Sequence, residues 1–290
     1  MTEQLRIEPV TPGLGAEVRG VDLRRATPDT IAALRAAFAA HSVLFVRDQE
    51  LSLDEQLKVT QLFGSVLKVP YVEGVPGHPE VIAVLKEADE RKISTFGGTW
   101  HSDFSFLPEP PAATLLHAVE LPPVGGDTLW SSQYLAYEAL SEGMCKLLDP
   151  LRAVHTGWPH GTMGPSPDVP VSRSIKMARN DPSADREVLH PVVRVHPQTR
   201  RKALFVNPVY TQSFENMTAA ESKPLLDFLF QHCIRPEFTC RRRWSENTLT
   251  IWDNRCLMHL AINDYDGHRR LLYRTTTAGE VPIGTGETRH

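Results

Sequence analysis

The sequence predicts a mainly β fold, a sandwich or barrel of short strands flanked by helices. Five segments in the second half are short, rich in β-branched or aromatic residues and bounded by turn residues, as β-strands are. Helix signals appear mostly before them, and the 290 residues are 41% hydrophobic and 23% charged, the balance of an ordinary globular protein. The predicted strands are Pro191–His196, Ala203–Asn207, Glu237–Trp244, Thr248–Trp252 and Arg270–Thr277.

Two helices and a buried strand are predicted near the start of the chain. Thr27–Pro28 is a helix-opening pair, and the apolar face that follows holds Ile31, Leu34 and Phe38. The apolar run Ser42–Val46 indicates a strand. Ser52 and Glu55 form a capping-box pattern, and Gly64 is the expected stop of the second helix. Its predicted inward residues are Leu57, Leu62 and Phe63.

Two further helices are predicted on either side of a long insertion. One covers Ser132–Leu148. The other opens at the Thr218–Glu221 capping box, with an apolar face of Leu225, Leu226, Leu229 and Cys233. The insertion, around 157–186, is dense in glycine, proline, serine and aspartate, which is typical of a surface loop or of a mobile cover over an active site.

Charge and cysteine usage exclude several classes of protein. The net charge of −4 offers no basic field for a phosphate backbone, so nucleic acid is not an expected partner. The apolar runs are too short to span a bilayer, and Met1–Gln4 shows no signal-peptide pattern, so neither membrane insertion nor secretion is expected. Four cysteines without a C-x-x-C pair indicate reduced thiols and a cytoplasmic protein.

One local pattern predicts a metal site. In His101-Ser102-Asp103 an imidazole and a carboxylate stand two residues apart, a spacing that directs both to one side of a strand. These are two of the three ligands of the 2-His-1-carboxylate triad, which leaves positions on iron open. Because such short pairs arise by chance, the assignment needs support elsewhere in the chain.

That support is a group of residues near the C-terminus. His259 supplies a second imidazole, and Arg270 and Arg274 are four residues apart, so they share one face of a strand. Two guanidinium groups beside a metal fit anionic ligands, which they bind in bidentate fashion. A solvated, arginine-rich edge strand is the alternative. Cys256 and His259 also permit a thiol–imidazole pair, although no third orienting group is evident.

Taken together, the motifs resemble the taurine dioxygenase/dichlorophenoxyacetate dioxygenase family of Fe(II)- and 2-oxoglutarate-dependent oxygenases. The resemblance runs along nearly the whole chain. Its marks include Phe63-Gly64, Trp100-His-Ser-Asp103, Gly125-Gly-Asp-Thr-Leu-Trp130, Leu204-Phe-Val-Asn207, Trp252-Asp-Asn-Arg255, and His259 followed by Arg270 and Arg274.

The resemblance implies a fold, a ligand set and a reaction. The fold is a double-stranded β-helix (jelly-roll) core in a single domain over 1–290, and family likeness implies dimers or tetramers. His101, Asp103 and His259 would bind Fe(II). Thr128 and Arg270 would hold 2-oxoglutarate, which reacts with O2 to give succinate and CO2 while the substrate is hydroxylated next to a heteroatom.

The resemblance also bears on the substrate. Arg274 would face an anionic group of the substrate, and Tyr71 stands near the position of a substrate-contacting tyrosine. Taurine-specific members carry a His and an Asn where this chain has Val69 and Gly97. The pocket is therefore expected to be more apolar, which favours a sulfonate, alkyl sulfate or aryloxyalkanoate over taurine itself. Taurine dioxygenase proper, a non-catalytic metal-binding jelly-roll protein and a zinc hydrolase remain alternatives.

Overall fold

The fold was analysed in a computed structural model that describes residues 4–93, 96–162 and 172–287. It is mainly β with helices on its outer faces, as predicted. The helices are α1 Pro28–His41, α2 Leu53–Gln61, α3 Gln133–Glu138, α4 Glu142–Leu148 and α5 Ala219–His232. The strands are β1 Arg6–Pro9, β2 Ala16–Arg19, β3 Val43–Val46, β4 Ile82–Lys86, β5 Ala113–Glu120, β6 Thr128–Ser132, β7 Arg152–His155, β8 Val188–Pro191, β9 Val193–Val195, β10 Lys202–Leu204, β11 Thr211–Phe214, β12 Thr239–Arg242, β13 Leu249–Asp253, β14 Leu257–Ala261 and β15 Arg270–Thr276.

The strands form one large sheet and three small ones. The large sheet has 7 strands in the order β1-β2-β3-β13-β5-β15-β4, and β2 and β3 are its parallel pair. A 3-stranded sheet has the order β12-β6-β14, a second has the order β11-β7-β8, and β9 pairs with β10. Strands distant in sequence lie side by side at the centre, where β13 is hydrogen-bonded to both β3 and β5.

Alternating side chains of β3 show how the layers stack. Phe45 points toward the small sheets, where its ring centroid lies 5.3 Å from that of Trp130 on β6. Leu44, its neighbour, belongs instead to an apolar cluster with Leu34 and Phe38 of α1. Because successive strand residues face opposite sides, the large sheet is covered by helices on one face and by a second β layer on the other.

The helix starts predicted from capping residues are confirmed. Thr27 caps α1, and complete capping boxes open α2 at Ser52 and α5 at Thr218. The core-facing side of α2 is more polar than predicted, since Gln56, Val59 and Thr60 are its buried residues. Thr60 reaches the hydroxyl of Thr275 across 2.7 Å, so a hydrogen bond joins this helix to the large sheet.

Several predicted boundaries were wrong. The helix expected over Ser132–Leu148 is two helices, because the Ser141 hydroxyl accepts a hydrogen bond from the backbone of Met144 and starts a new one. The strand expected over Pro191–His196 is divided between β8 and β9. The strand expected from Glu237 begins only at Thr239, after a 3-10 turn. None of the helices in the described ranges combines the length and apolar composition that a bilayer crossing demands.

Candidate metal centre

Three side chains far apart in sequence converge on one point in the protein. His101 Nε2 lies 3.5 Å and His259 Nε2 lies 3.8 Å from Oδ1 of Asp103. All three side chains are buried. Ligand atoms that share one transition metal at about 2.1 Å each are separated by about 3–4 Å, so this spacing fits a single ion.

The backbone brings the two imidazoles together. His101 and His259 form an isolated antiparallel bridge, with N–H···O bonds of 3.1 Å and 2.8 Å in the two directions. Their ring centroids are 4.2 Å apart. His259 belongs to β14, whereas the chain turns immediately after Asp103, where Phe104 has a φ of 46°. The His-x-Asp segment is therefore a single bridge followed by a turn rather than a regular strand.

Both imidazoles direct Nε2 toward Asp103. Nδ1 of His101 donates to the carbonyl of Thr99 at 2.7 Å, which leaves Nε2 as the free lone pair. Burial, followed by the nearby His101, lowers the pKa of His259 to about 3. A neutral imidazole is the ligand form, so the His259 ring has no proton to lose when a metal binds.

The carboxylate is held ionised although it is buried. Burial opposes the ionisation of Asp103, but the positive charge of Arg274 is the largest of the interactions that outweigh it and keep the pKa of Asp103 well below the usual range. Oδ2 accepts a hydrogen bond from Thr114 at 2.7 Å. Two imidazoles and one carboxylate are the donor set that Fe(II) takes in a facial triad, so the residues present fit that metal.

Arg270 lies in the same cleft with an unpaired donor. Its side chain is buried, Nη2 donates to the carbonyl of Gly126 at 3.2 Å, and Nε has no hydrogen-bond partner among the described residues. Burial lowers the pKa of Arg270. A buried cation with a free donor is costly unless an anion completes the site, so the arrangement fits a ligand carboxylate.

Thr128 and Gly126 shape the surroundings of this arginine. The Thr128 hydroxyl accepts a hydrogen bond from Trp244 Nε1 at 3.0 Å, so its own proton is available to a ligand. Gly126 has a φ of +70°, and a Cβ there would lie 3.1 Å from Arg270 Nε. Only glycine combines that backbone angle with the close approach.

Arg274 contacts the carboxylate of the triad. Its Nη2 lies 2.9 Å from Asp103 Oδ2, yet the N–H is not aligned for a hydrogen bond, and both Nε and Nη2 lack such a partner within the described part of the chain. The guanidinium carbon lies 5.6 Å from the ring centroid of Phe104 and 5.9 Å from that of Phe96. Arg274 therefore has free donors in an aromatic setting, directly beside the triad.

One cleft unites most of the residues singled out from the sequence. Its cavity volume is about 30 Å3. Its lining includes residues of three predicted groups, namely the two imidazoles, the 2-oxoglutarate pair and the anion-binding arginine: His101, His259, Thr128, Arg270 and Arg274. Gly97 also lines it, and a Cβ on Gly97 would lie 3.2 Å from His101 Cε1.

Val69 and Tyr71 lie beside the cleft rather than in its lining. Both belong to an apolar cluster that also contains Phe104 and Phe106. The Tyr71 ring stacks on His160 with centroids 5.3 Å apart, and its hydroxyl lies 2.9 Å from Ser183 Oγ. This cluster reaches Arg274 through Phe104.

The thiol–imidazole pair considered from the sequence does not exist. Burial raises the pKa of Cys256 to about 12, and its thiol contacts Ser42 and the Asp253 carbonyl rather than His259. His196, Asp253 and Cys256 form a second close group. There, His196 Nδ1 accepts two backbone N–H groups and Nε2 donates to Asp253, so the imidazole has no lone pair left for a metal.

Comparison with known proteins places the chain in a family. Residues 6–276 match the model of the taurine catabolism dioxygenase TauD, TfdA family. The chain belongs to this family. Two TauD/TfdA relatives are 34% identical to it: an alkylsulfatase from Acinetobacter baylyi, with coverage of 98% of this chain and 88% of the relative, and an α-ketoglutarate-dependent sulfate ester dioxygenase from Pseudomonas putida, with 97% and 92%. The resemblance inferred from the sequence motifs is thus confirmed.

Solved structures agree with this TauD/TfdA membership. A taurine dioxygenase from Burkholderia xenovorans superimposes with a TM-score of 0.80 at 35% identity, covering 97% of this chain and 93% of that one. The likeness extends over the whole architecture, so the mainly β fold with outer helices is that of the family.

Proposed function

We propose that this chain is an Fe(II)- and 2-oxoglutarate-dependent dioxygenase that hydroxylates a small anionic organic substrate next to a heteroatom, with release of succinate and CO2. The observation that carries the proposal is the single cleft in which two imidazoles meet two buried arginines with unpaired donors. Membership in the TauD/TfdA family supports it. The large and small sheets would then form a double-stranded β-helix core within one domain.

The residues divide into three roles. His101, Asp103 and His259 would hold Fe(II), which together with 2-oxoglutarate and O2 supplies the oxidation of a substrate C–H bond. Thr128 and Arg270 would bind the distal carboxylate of 2-oxoglutarate. Its negative charge would complete the pairing of a guanidinium that is buried beside Gly126.

The substrate would carry its anionic group toward Arg274. The surroundings of that guanidinium are Phe96 and Phe104, and the positions compared with taurine-specific members are Val69 and Gly97. Because neither residue has a polar side-chain atom with which to hydrogen-bond a small polar molecule, an apolar body on the substrate is favoured over taurine. The sulfate ester relatives support an alkyl sulfate or sulfonate.

A screen of substrates tests the proposed function. The protein is supplied with Fe(II), ascorbate and 2-oxoglutarate, and succinate is measured with alkyl sulfates, sulfonates, aryloxyalkanoates and taurine. We expect succinate formation that depends on O2 and is stimulated by members of the first three groups. Absence of succinate with every compound would support a metal-binding protein without turnover, and product formation without O2 would support a hydrolase.

Arg274→Leu is expected to weaken the binding of the anionic substrate much more than the binding of 2-oxoglutarate. Leucine removes the charge that would face the substrate and leaves Arg270 in place. The apparent KM for the substrate should rise at least about 10-fold, since a hydrogen bond to a charged group contributes about 1.5–3 kcal/mol. Titrations of both compounds on wild type and variant provide the measurement. Equal losses for both would contradict this division of roles.

The insertion around 157–186 is proposed to cover the substrate. Residues 163–171 lie outside the described ranges, but both described flanks approach the apolar cluster. His160 stacks on Tyr71, and Ser183 meets the Tyr71 hydroxyl. We expect limited proteolysis within this insertion to slow when 2-oxoglutarate and substrate are both added, because a closed cover is less accessible. An unchanged cleavage pattern would count against it.

A further inference from the structure

We propose that a buried hydrogen-bond chain from Trp252 through Asn254 and Thr114 positions Asp103 as a ligand that binds through one oxygen only. The inference rests on the proposed function, since it assumes that Asp103 binds the metal. It adds three positioning residues that act through Asp103. Neither the resemblance nor the predicted ligand set includes Thr114 or Asn254 in that role.

The donor and the acceptor of each hydrogen bond between Trp252 and Asp103 are fixed. An indole N–H can only donate, so Trp252 Nε1 donates to Asn254 Oδ1, at 2.9 Å. The amide nitrogen of Asn254 must then face Thr114, whose Oγ1 it reaches at 2.9 Å. Because an ionised carboxylate can only accept, the Thr114 hydroxyl donates its proton to Asp103 Oδ2, at 2.7 Å. The chain therefore ends as a donor on the carboxylate.

The sheet register places these three side chains. Thr114 on β5 pairs directly with Trp252 on β13. Asn254 follows β13, and its backbone N–H donates to the carbonyl of Ala112 at 2.8 Å. Thr114, Trp252 and Asn254 are 0%, 2% and 2% exposed. Water therefore has little access to replace a lost bond, and each deletion leaves an unsatisfied buried group.

The hydrogen-bond chain gives the two carboxylate oxygens of Asp103 different partners. Oδ2 is engaged by Thr114 and approached by Arg274, whereas Oδ1 faces the imidazole nitrogens of His101 and His259. A carboxylate held in this way would bind a metal through Oδ1 alone, which keeps one more coordination position open for a co-substrate. The hydrogen-bond chain would thus keep open a coordination position that an oxygenase of this type requires.

The other end of the chain contacts a second ligand. The Trp252 ring centroid lies 4.8 Å from that of His259, while its N–H starts the chain that ends on Asp103. One indole therefore packs against one proposed ligand and orients another. Outer partners of this kind typically change metal affinity about 10- to 100-fold when removed.

Metal binding by three threonine variants tests the proposal. Thr114→Val keeps the shape and removes the donor, Thr114→Ser retains the hydroxyl, and Thr60→Val is the matched control. Thr60→Val also removes a buried hydroxyl, which is hydrogen-bonded to Gln56 and Thr275. It therefore measures the effect on stability of losing such a hydroxyl away from Asp103. The probe is Mn(II), whose affinity is measured by the electron paramagnetic resonance signal of the free ion.

The expected results separate positioning from general damage. Mn(II) affinity should fall about 10- to 100-fold in Thr114→Val, stay within about 3-fold of wild type in Thr114→Ser, and be unchanged in Thr60→Val. Thermal midpoints of the metal-free proteins should fall similarly in both valine variants. Wild-type affinity in Thr114→Val, or an equal loss in Thr60→Val, would overturn the proposal.

Two further measurements remove ambiguity. If Thr114→Val does not fold, Trp252→Phe tests the chain from its other end, since it keeps the ring against His259 and removes only the first donor. The Mn(II) affinity of Trp252→Phe should also fall, and an affinity equal to that of the wild type would contradict the proposed hydrogen-bond chain. Failure of the wild-type protein to bind Mn(II) would instead contradict the proposed function itself.

Discussion

Loss of metal binding and of all Fe(II)-dependent turnover is the expected result of Asp103→Ala and of His101→Ala. Alanine at either position leaves two of the three side-chain ligands, and Asp103→Ala also removes the only anionic one of the group. Fe(II) bound under anaerobic conditions and succinate formed after addition of O2 are the two measurements. Both should fall to the level of a reaction without protein.

Asp103→Ala is expected to lower the stability of the folded protein more than His101→Ala. Asp103→Ala leaves Arg274 buried without its partner, and breaking a buried pair in this way costs about 3–5 kcal/mol. His101→Ala keeps the 2.9 Å contact between Asp103 and Arg274, so it tests the ligand role with less loss of stability. Asp227→Ala, at an exposed pair on α5, is the control and should keep full activity. Turnover near the wild-type rate in His101→Ala would refute the triad.

Weak binding of 2-oxoglutarate is the expected result of Arg270→Ala. The guanidinium lies in the cleft with Nε unpaired, and its removal would leave a ligand carboxylate buried without a counter-charge. The expected penalty is about 3–5 kcal/mol, or roughly 100- to 4,000-fold in affinity. Calorimetric titration of the Mn(II)-loaded protein with 2-oxoglutarate measures it directly.

A conservative variant refines the assignment of Arg270. Arg270→Lys keeps the charge but lacks the planar fork that binds a carboxylate through two N–H groups. We expect an intermediate loss, smaller than that of alanine, while Mn(II) affinity stays unchanged because Arg270 does not contact the triad. Unaltered 2-oxoglutarate affinity in Arg270→Ala would show that another residue holds the carboxylate.

Local signals predicted the helix starts but not the arrangement of the sheets. The capping boxes at Ser52 and Thr218 each depend on residues three positions apart, so they can be read directly from the sequence. The strand β5, which lies between β13 and β15 at the centre of the large sheet, was not predicted. Its partners are more than 100 residues away in sequence, and no local pattern encodes such pairing.

The residues of the candidate site could be predicted from the sequence, but the contacts between their side chains could not. The His-x-Asp spacing and the two arginines are visible in the sequence because each is a short-range pattern. The contact of Arg274 with Asp103 is not, since it depends on β15 lying beside β5 and the bridge at His101. Asn254 stands in a motif that marked the resemblance, but its partner Thr114 is 140 residues earlier in the chain.

The position of a bound iron ion distinguishes the proposed triad of His101, Asp103 and His259 from any other site. A crystal grown anaerobically with Fe(II) and 2-oxoglutarate is measured at the iron absorption edge. One anomalous peak is expected at about 2.1 Å from His101 Nε2, His259 Nε2 and Asp103 Oδ1, with 2-oxoglutarate reaching Arg270. A peak at His196 and Asp253 instead, or none beside Asp103, would contradict it.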